Sequence, residues 1–152
     1  MEDSENAQAT TNSAVLVQEI GQRIANRFSE KALRAAFYPR HVGTMDQPDA
    51  HANLQGYCGD LITFYLRIEA EHISKITFTT EGCDATIASG EILASIVTGM
   101  SLEQAAQVTP EDLLMALEGM PPNHVHCTEL AVKTLRDAIA GYGDARSQPK
   151  SS

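Results

Sequence analysis

The chain has 152 residues, 43% hydrophobic and 20% charged, with a formal net charge of −9. That length suits one domain with a sizeable core. The acidity argues against non-specific nucleic-acid binding, which needs a basic surface, and leaves room for a basic protein partner and for cations.

Residues 1–12 are small, polar and acidic and read as a disordered tail. Asn12 or Ser13 can cap a helix from Ala14, along which Val15, Leu16, Ile20, Ile24, Phe28 and Leu33 recur at helical spacing until Pro39. Ser29-Glu30-Lys31 marks a break, with Ser29 a cap for a second helix. Residues 39–56 have no steady period and read as a long loop with one short strand before Tyr57. Leu61–Ile68 and Ile73–Thr80 alternate as strands, and the short link between them makes an antiparallel hairpin. After Cys83 the period turns helical, with Ile92, Leu93, Ile96 and Val97 as core, until Gly99. Ser101-Leu102-Glu103-Gln104 is a capping box, and Thr109-Pro110-Glu111-Asp112 opens the next helix. Met120–Val125 reads as extended, because each proline restricts its predecessor. A last helix runs from Cys127 to Gly141. Strands grouped before helices give an α+β fold: a small antiparallel sheet of about three strands, helices mainly on one face, and an N-terminal helical extension. The expected organisation is a single domain over residues 13–143 and a flexible tail over residues 144–152.

No apolar run approaches the ~20 residues that cross a bilayer. The start, Met1-Glu2-Asp3-Ser4-Glu5, lacks the apolar core of a secretory signal. With an odd count of three cysteines, this points to free thiols in a reducing compartment, and the expected location is cytoplasmic.

Each cysteine sits at a turn beside a polar, metal-binding residue type: Cys58 in Cys58-Gly59-Asp60, Cys83 in Gly82-Cys83-Asp84, and Cys127 in His126-Cys127. A cysteine kept for packing sits more often in an apolar run. Unpaired N–H groups at the helix starts of Cys83 and Cys127 favour thiolate, the form that binds metal and attacks sulfur. Asp60 adds a hard oxygen and His126 an imidazole. His124 is a weaker candidate; in an extended segment it points the same way as His126. His41 and His51 read as exposed, Asp84 as a first-turn acid, and Lys133 and Arg136 as a solvated face. There is no Cys-x-x-Cys pair, so spacing alone leaves both a metal site and three unrelated thiols open.

With these motifs the chain resembles the iron–sulfur cluster assembly scaffold family, the IscU proteins and the N-terminal domain of NifU. Cys58-Gly59-Asp60 before a strand, Gly82-Cys83 with Ile87-Ala88-Ser89, and Pro121-Pro122 followed by His126-Cys127 match in order, as do Ser29-Glu30-Lys31 and Tyr38-Pro39-Arg40-His41-Val42-Gly43. The resemblance implies a scaffold that builds a 2Fe-2S cluster from ferrous iron (Fe2+) and the persulfide sulfur of a cysteine desulfurase, then passes it to acceptor proteins. It implies Cys58, Cys83 and Cys127 as ligands, with Asp60 or His126 completing the site. It also implies Asp60 as the residue that keeps the cluster labile and Cys127 as persulfide acceptor. A ferredoxin electron donor and a frataxin-like protein are further implied partners, and zinc (Zn2+) an occupant of the cluster-free site. The expected protomer is a carrier rather than an enzyme, working as monomer or homodimer without nucleic acid or membrane.

The chain also departs from the family. Its proline loop reads Met120-Pro121-Pro122-Asn123-His124 where the family has Leu-Pro-Pro-Val-Lys, which speaks against release by a dedicated chaperone. Asp84-Ala85-Thr86 replaces the usual Gly-Ser-Ala, and Phe28 stands for an N-terminal aromatic with a hydroxyl. The competing readings are a zinc-binding sulfur-transfer protein and a desulfurase regulator of the SufU type. A hydrolase using Cys127 is disfavoured, because the adjacent His126 is poorly placed as its base.

Overall fold

A computed structural model describes residues 28–56 and 59–147. The expected N-terminal tail, most of the first helical segment, and Tyr57 and Cys58 lie outside the described residues. Three antiparallel strands form one sheet in the order β1 (Ala50–Gln55), β2 (Leu61–Glu69), β3 (His72–Glu81). Alternation puts Ile62, Phe64, Leu66 and Ile68 of β2 and Ile76 and Phe78 of β3 on one buried face, and a bulge opposite Arg67/Ile68 shifts the register so that Ile73, paired with Ile68, is buried as well. The β2–β3 turn places Ala70 and Glu71 at φ 51° and 63°, the paired positive values that match a two-residue hairpin to the strand twist.

Among the described residues, five α-helices pack against this sheet and each other: α1 (Glu30–Phe37), α2 (Asp84–Val97), α3 (Leu102–Ala106), α4 (Pro110–Ala116) and α5 (His126–Ser147). Ser29 caps α1, its side chain accepting from Ala32 N at 2.9 Å. The face of α1 that meets α2 is made of alanines, Ala32, Ala35 and Ala36, which allow close approach. Both expected capping boxes form, Ser101 with Gln104 and Thr109 with Asp112. Helix α2 lies over β3 at Gly90, where a Cβ would stand 2.8 Å from the Phe78 ring. Phe78 and Phe64 form a tilted pair, 5.8 Å between centroids and both fully buried; each contributes about 1.5–3 kcal/mol by burial.

Three expectations change. Pro122–His124 is a turn of 3-10 helix rather than extended chain, closed by His124 N donating to Pro121 O at 2.8 Å. The proline rule governs Met120 and Pro121, whereas Pro122 carries a φ already suited to a first helical position. Helix α5 passes Gly141 and Gly143 and ends at Ser147, because Ile139 and Tyr142 still pack on the core there. Arg136 is exposed but not merely solvated: its guanidinium donates to Ala106 O at 3.1 Å and Val108 O at 2.8 Å, tying α5 to the α3–α4 connection.

Candidate metal centre

Strand register brings the first two parts of the site together. Leu61 pairs with Glu81, so the residue before β2, Asp60, lies beside the residues after β3, Gly82 and Cys83. Gly59, at φ 96°, lets the chain turn into Asp60. Gly82 lets the carboxylate come close: a Cβ there would sit 2.9 Å from Asp60 Cγ and Oδ2. Asp60 Oδ2 accepts from Cys83 N at 3.3 Å and from Cys83 Sγ at 3.4 Å. Residues 23 apart in sequence are thus neighbours.

Helix packing supplies the rest. Cys83 is the N-cap of α2, and Thr86, three positions on, is fully buried on the same side. Thr86 Oγ1 donates to Asp60 Oδ2 at 2.5 Å and lies 3.4 Å from Cys127 Sγ. Helix α5 packs on α2, and its first turn places fully buried Cys127 against Thr86. His126 Nε2 is 3.8 Å from Cys127 Sγ, and His124 Nδ1 is 3.8 Å from Cys83 Sγ. The ligand atoms of Cys83, His124 and Cys127 all fall within 4.8 Å of one another. In tetrahedral zinc with Zn–S near 2.3 Å and Zn–N near 2.0–2.1 Å, ligand atoms lie roughly 3.5–3.8 Å apart, so this trio has about the right size for a soft divalent cation.

The electrostatics of the two ends differ. Burial raises the Asp60 carboxyl, but the Thr86 hydroxyl, the Cys83 N–H and thiol, and nearby His126 outweigh it and hold the group below 3.8. Asp60 is therefore an anion at neutral pH. Cys127 goes the other way. Burial pushes its thiol up to about 12; the Thr86 hydroxyl opposes, and Cys83 and Asp60 add to the rise. The thiolate expected from a helix start does not hold at Cys127 in the metal-free protein, because desolvation exceeds the helix-end effect.

Of the sequence-derived candidates, the structure brings together Asp60, Cys83, His126 and Cys127; Cys58 lies outside the described residues. His124, the weaker imidazole, is the one that reaches both thiols. Thr86 was missed, although its i+3 relation to Cys83 places it on the same helical face. His41 is not a free loop residue: its Nδ1 lies 2.8 Å from Glu91 Oε2, and Glu91 Oε1 accepts from the N–H groups of Arg40 and His41, each at 2.9 Å. His51 is exposed beside Tyr65. Asp84 is an exposed first-turn acid. Among the described residues no helix is long and apolar enough to cross a membrane.

Known proteins resemble the chain along most of its length. The NifU-like N terminal domain model matches residues 27–149. The iron-sulfur cluster assembly scaffold protein IscU 1 of Archaeoglobus fulgidus is 34% identical over 116 residues, 76% of each chain. The IscU scaffold protein of Escherichia coli K12 is 33% identical over 124 residues, covering 78% of this chain and 96% of its own. A crystal structure of the N-terminal part of a NifU-like protein from Brucella abortus superposes with a TM-score of 0.67 over 80% of this chain and 97% of that one. At 18% identity it speaks for the fold alone.

Proposed function

The chain belongs to the NifU-like N-terminal domain family, and on that premise we propose that it is a scaffold for an iron–sulfur cluster. It takes ferrous iron and desulfurase-derived sulfur, assembles a 2Fe-2S cluster, and hands it to acceptor proteins. The observation that carries this reading is the convergence of Cys83, His124 and Cys127 within 4.8 Å, with the Asp60 carboxylate bonded to Cys83.

The chemistry follows from the side chains. Thiolates and imidazole suit iron and zinc alike, so zinc fits the cluster-free state. Sulfur arrives when a scaffold thiolate attacks the outer sulfur of the desulfurase persulfide. A new S–S bond forms on the scaffold, the old one breaks, and the electron pair leaves on the desulfurase cysteine. Cys83, half-buried at the helix start, is the outward relay. Cys127 is the final acceptor and becomes nucleophilic once a nearby cation stabilises its thiolate against the burial. Reducing the bound sulfane sulfur to sulfide takes two electrons, which a ferredoxin-type donor supplies. Asp60 supplies one hard oxygen beside soft sulfurs, a weaker hold that favours release. Cys58, by its motif, is the third thiolate.

The test is anaerobic incubation of the full chain with ferrous iron, cysteine and a cysteine desulfurase. The expected result is a brown protein with sulfide-to-iron charge-transfer absorption, retained longer by Asp60→Ala. A colourless protein under those conditions would reject the scaffold reading; faster cluster loss from Asp60→Ala would reject the role given to Asp60.

A further inference from the structure

Helix α1 buries its alanines and leaves its larger side chains outside. Leu33, Phe37, Tyr38 and Val42 are four of the five large hydrophobic side chains exposed among the described residues, Phe37 at 63% and Tyr38 at 77%. Scattered exposure needs no explanation; a cluster within one short stretch marks an interaction surface. Beside it an open groove of about 910 Å³ lies between α1 and α2, and Lys31, Arg34, Tyr38, Arg40, Ile92 and Glu118 are among its lining residues. The local charge opposes that of the molecule: residues 28–44 carry Lys31, Arg34 and Arg40 against Glu30, in a chain of net charge −9. Glu30 is taken up by Arg34 at 3.2 Å, and Glu91 by the N–H groups of Arg40 and His41. Among the described residues the Lys31 and Arg40 side chains have no ion pair, facing one unengaged carboxylate at the groove, Glu118. The surface is also preformed. Phe78 N donates to His41 O at 2.9 Å and Gly43 N donates to Phe78 O at 2.8 Å, which holds Val42 between them, so little ordering is lost on binding.

We propose that this face docks a short acidic amphipathic helix of a partner protein, its apolar stripe on Leu33, Phe37 and Tyr38 and its carboxylates on Lys31 and Arg40. Aromatic residues and arginine are the types that carry binding energy at protein interfaces. The occupant is a helix because the groove walls are helices, whose own backbone groups are already paired; a segment lying between them must satisfy its backbone internally. The eight residues of α1 span roughly 12 Å, enough for anchors from two to three turns of the partner. The acidic remainder of the molecule repels the same carboxylates, which confines such a partner to this face. Ile92 stands more than two turns along α2 from Cys83, roughly 13 Å by helical rise. Docking here therefore leaves the thiols open, and the proposal does not depend on the scaffold reading.

The experiment is a fluorescence-anisotropy titration of the full chain, without iron or sulfide. The probe is a labelled synthetic helix of about 15 residues, with leucine and phenylalanine at i, i+3, i+4 and i+7 and glutamates on both flanks. A peptide with lysine in place of glutamate and a single-stranded oligodeoxynucleotide are the controls. The expected result is saturable binding of the acidic helix that weakens with salt. Phe37→Ser and Arg40→Glu are each expected to lower its affinity by roughly tenfold or more. Both side chains are exposed, so the variants fold, and circular dichroism checks this. Equal binding of the lysine peptide, preference for the oligonucleotide, or wild-type affinity in both variants would overturn the proposal. Two other occupants would overturn it as well. If the chain's own Glu2, Asp3 and Glu5 held the face, changing all three to glutamine would tighten probe binding by roughly tenfold. If a second copy held it, sedimentation would show a wild-type dimer that Phe37→Ser splits.

Discussion

Thr86 gives its only hydroxyl proton to Asp60 across 2.5 Å, while its oxygen lies 3.4 Å from Cys127 Sγ. An ionised carboxylate is the better acceptor, so the proton goes there and the oxygen lone pairs face the protonated Cys127 thiol. One buried hydroxyl thus orients a hard ligand and a soft one together. Thr86→Val keeps the shape and deletes the bond. The expected cost is about 1 kcal/mol, since no unpaired polar atom is left on the helix and Asp60 keeps its Cys83 partners. The urea midpoint should fall without a change in slope, and the Asp60 carboxyl should titrate higher by NMR. An unmoved Asp60 titration would show that the hydroxyl does not hold it.

Two glycines make separable predictions. Gly82→Ala directs a Cβ to 2.9 Å from the Asp60 carboxylate. That carboxylate can swing away, so stability should change little while its bonds to Cys83 are lost. Gly90→Ala instead drives a Cβ to 2.8 Å from the buried Phe78 ring, which has nowhere to go. Overpacking there should cost about 1–3 kcal/mol. Thermal melting and zinc affinity measured on both variants should move in opposite patterns: affinity for Gly82→Ala, melting for Gly90→Ala. The same pattern in both would contradict the geometry.

What was legible in the sequence was whatever local chemistry decides. Ser29, Ser101 and Thr109 cap helices because their side chains reach their own next turn. The hairpin follows from alternation. Asp60 and Cys83 meet because strand register is a local consequence of that hairpin. What escaped depends on distant partners. The 3-10 turn at Pro122–His124 is not dictated by the prolines alone, and the distant contact of Phe28 on His124 accompanies it. The glycines at 141 and 143 each weaken a helix by about 1 kcal/mol, too little to stop α5 while Ile139 and Tyr142 are anchored. Thr86 belongs to no metal-ligand type, so its place between Asp60 and Cys127 appears only once α2 and α5 are packed.

Glu91 is the acid that sequence reading passed over. It lies within the apolar stripe of α2 at 5% exposure, where a lone charge would be costly. It accepts the backbone N–H groups of Arg40 and His41 and faces the His41 ring, pinning the loop before β1 to α2. Glu91→Ala orphans those N–H groups, and the loss should be about 3 kcal/mol. Glu91→Gln keeps an oxygen for them and should lose distinctly less. Chemical denaturation of the pair measures this; equal losses would mean the backbone bonds are not the source of the stability.

Cys127 sets the alkaline edge of stability in the metal-free protein. Its thiol rises from 9.0 to about 12, burial first among the causes. The folded chain therefore keeps a proton that the unfolded chain releases above 9.0. The stabilising contribution is complete below pH 9.0 and is lost as pH climbs toward about 12. Asp60 acts at the opposite edge: its lowered value contributes above 3.8, and that contribution is lost as pH falls through the folded value. Urea midpoints of metal-free protein should accordingly drop as pH is raised past 9.0, and Cys127→Ala should flatten that drop despite a lower starting midpoint from its cavity. On the proposed site added zinc should reverse the pattern: binding would expel the proton from Cys127, so affinity should increase with pH. Parallel wild-type and Cys127→Ala midpoints across the alkaline range would show that the buried thiol is not the titrating group.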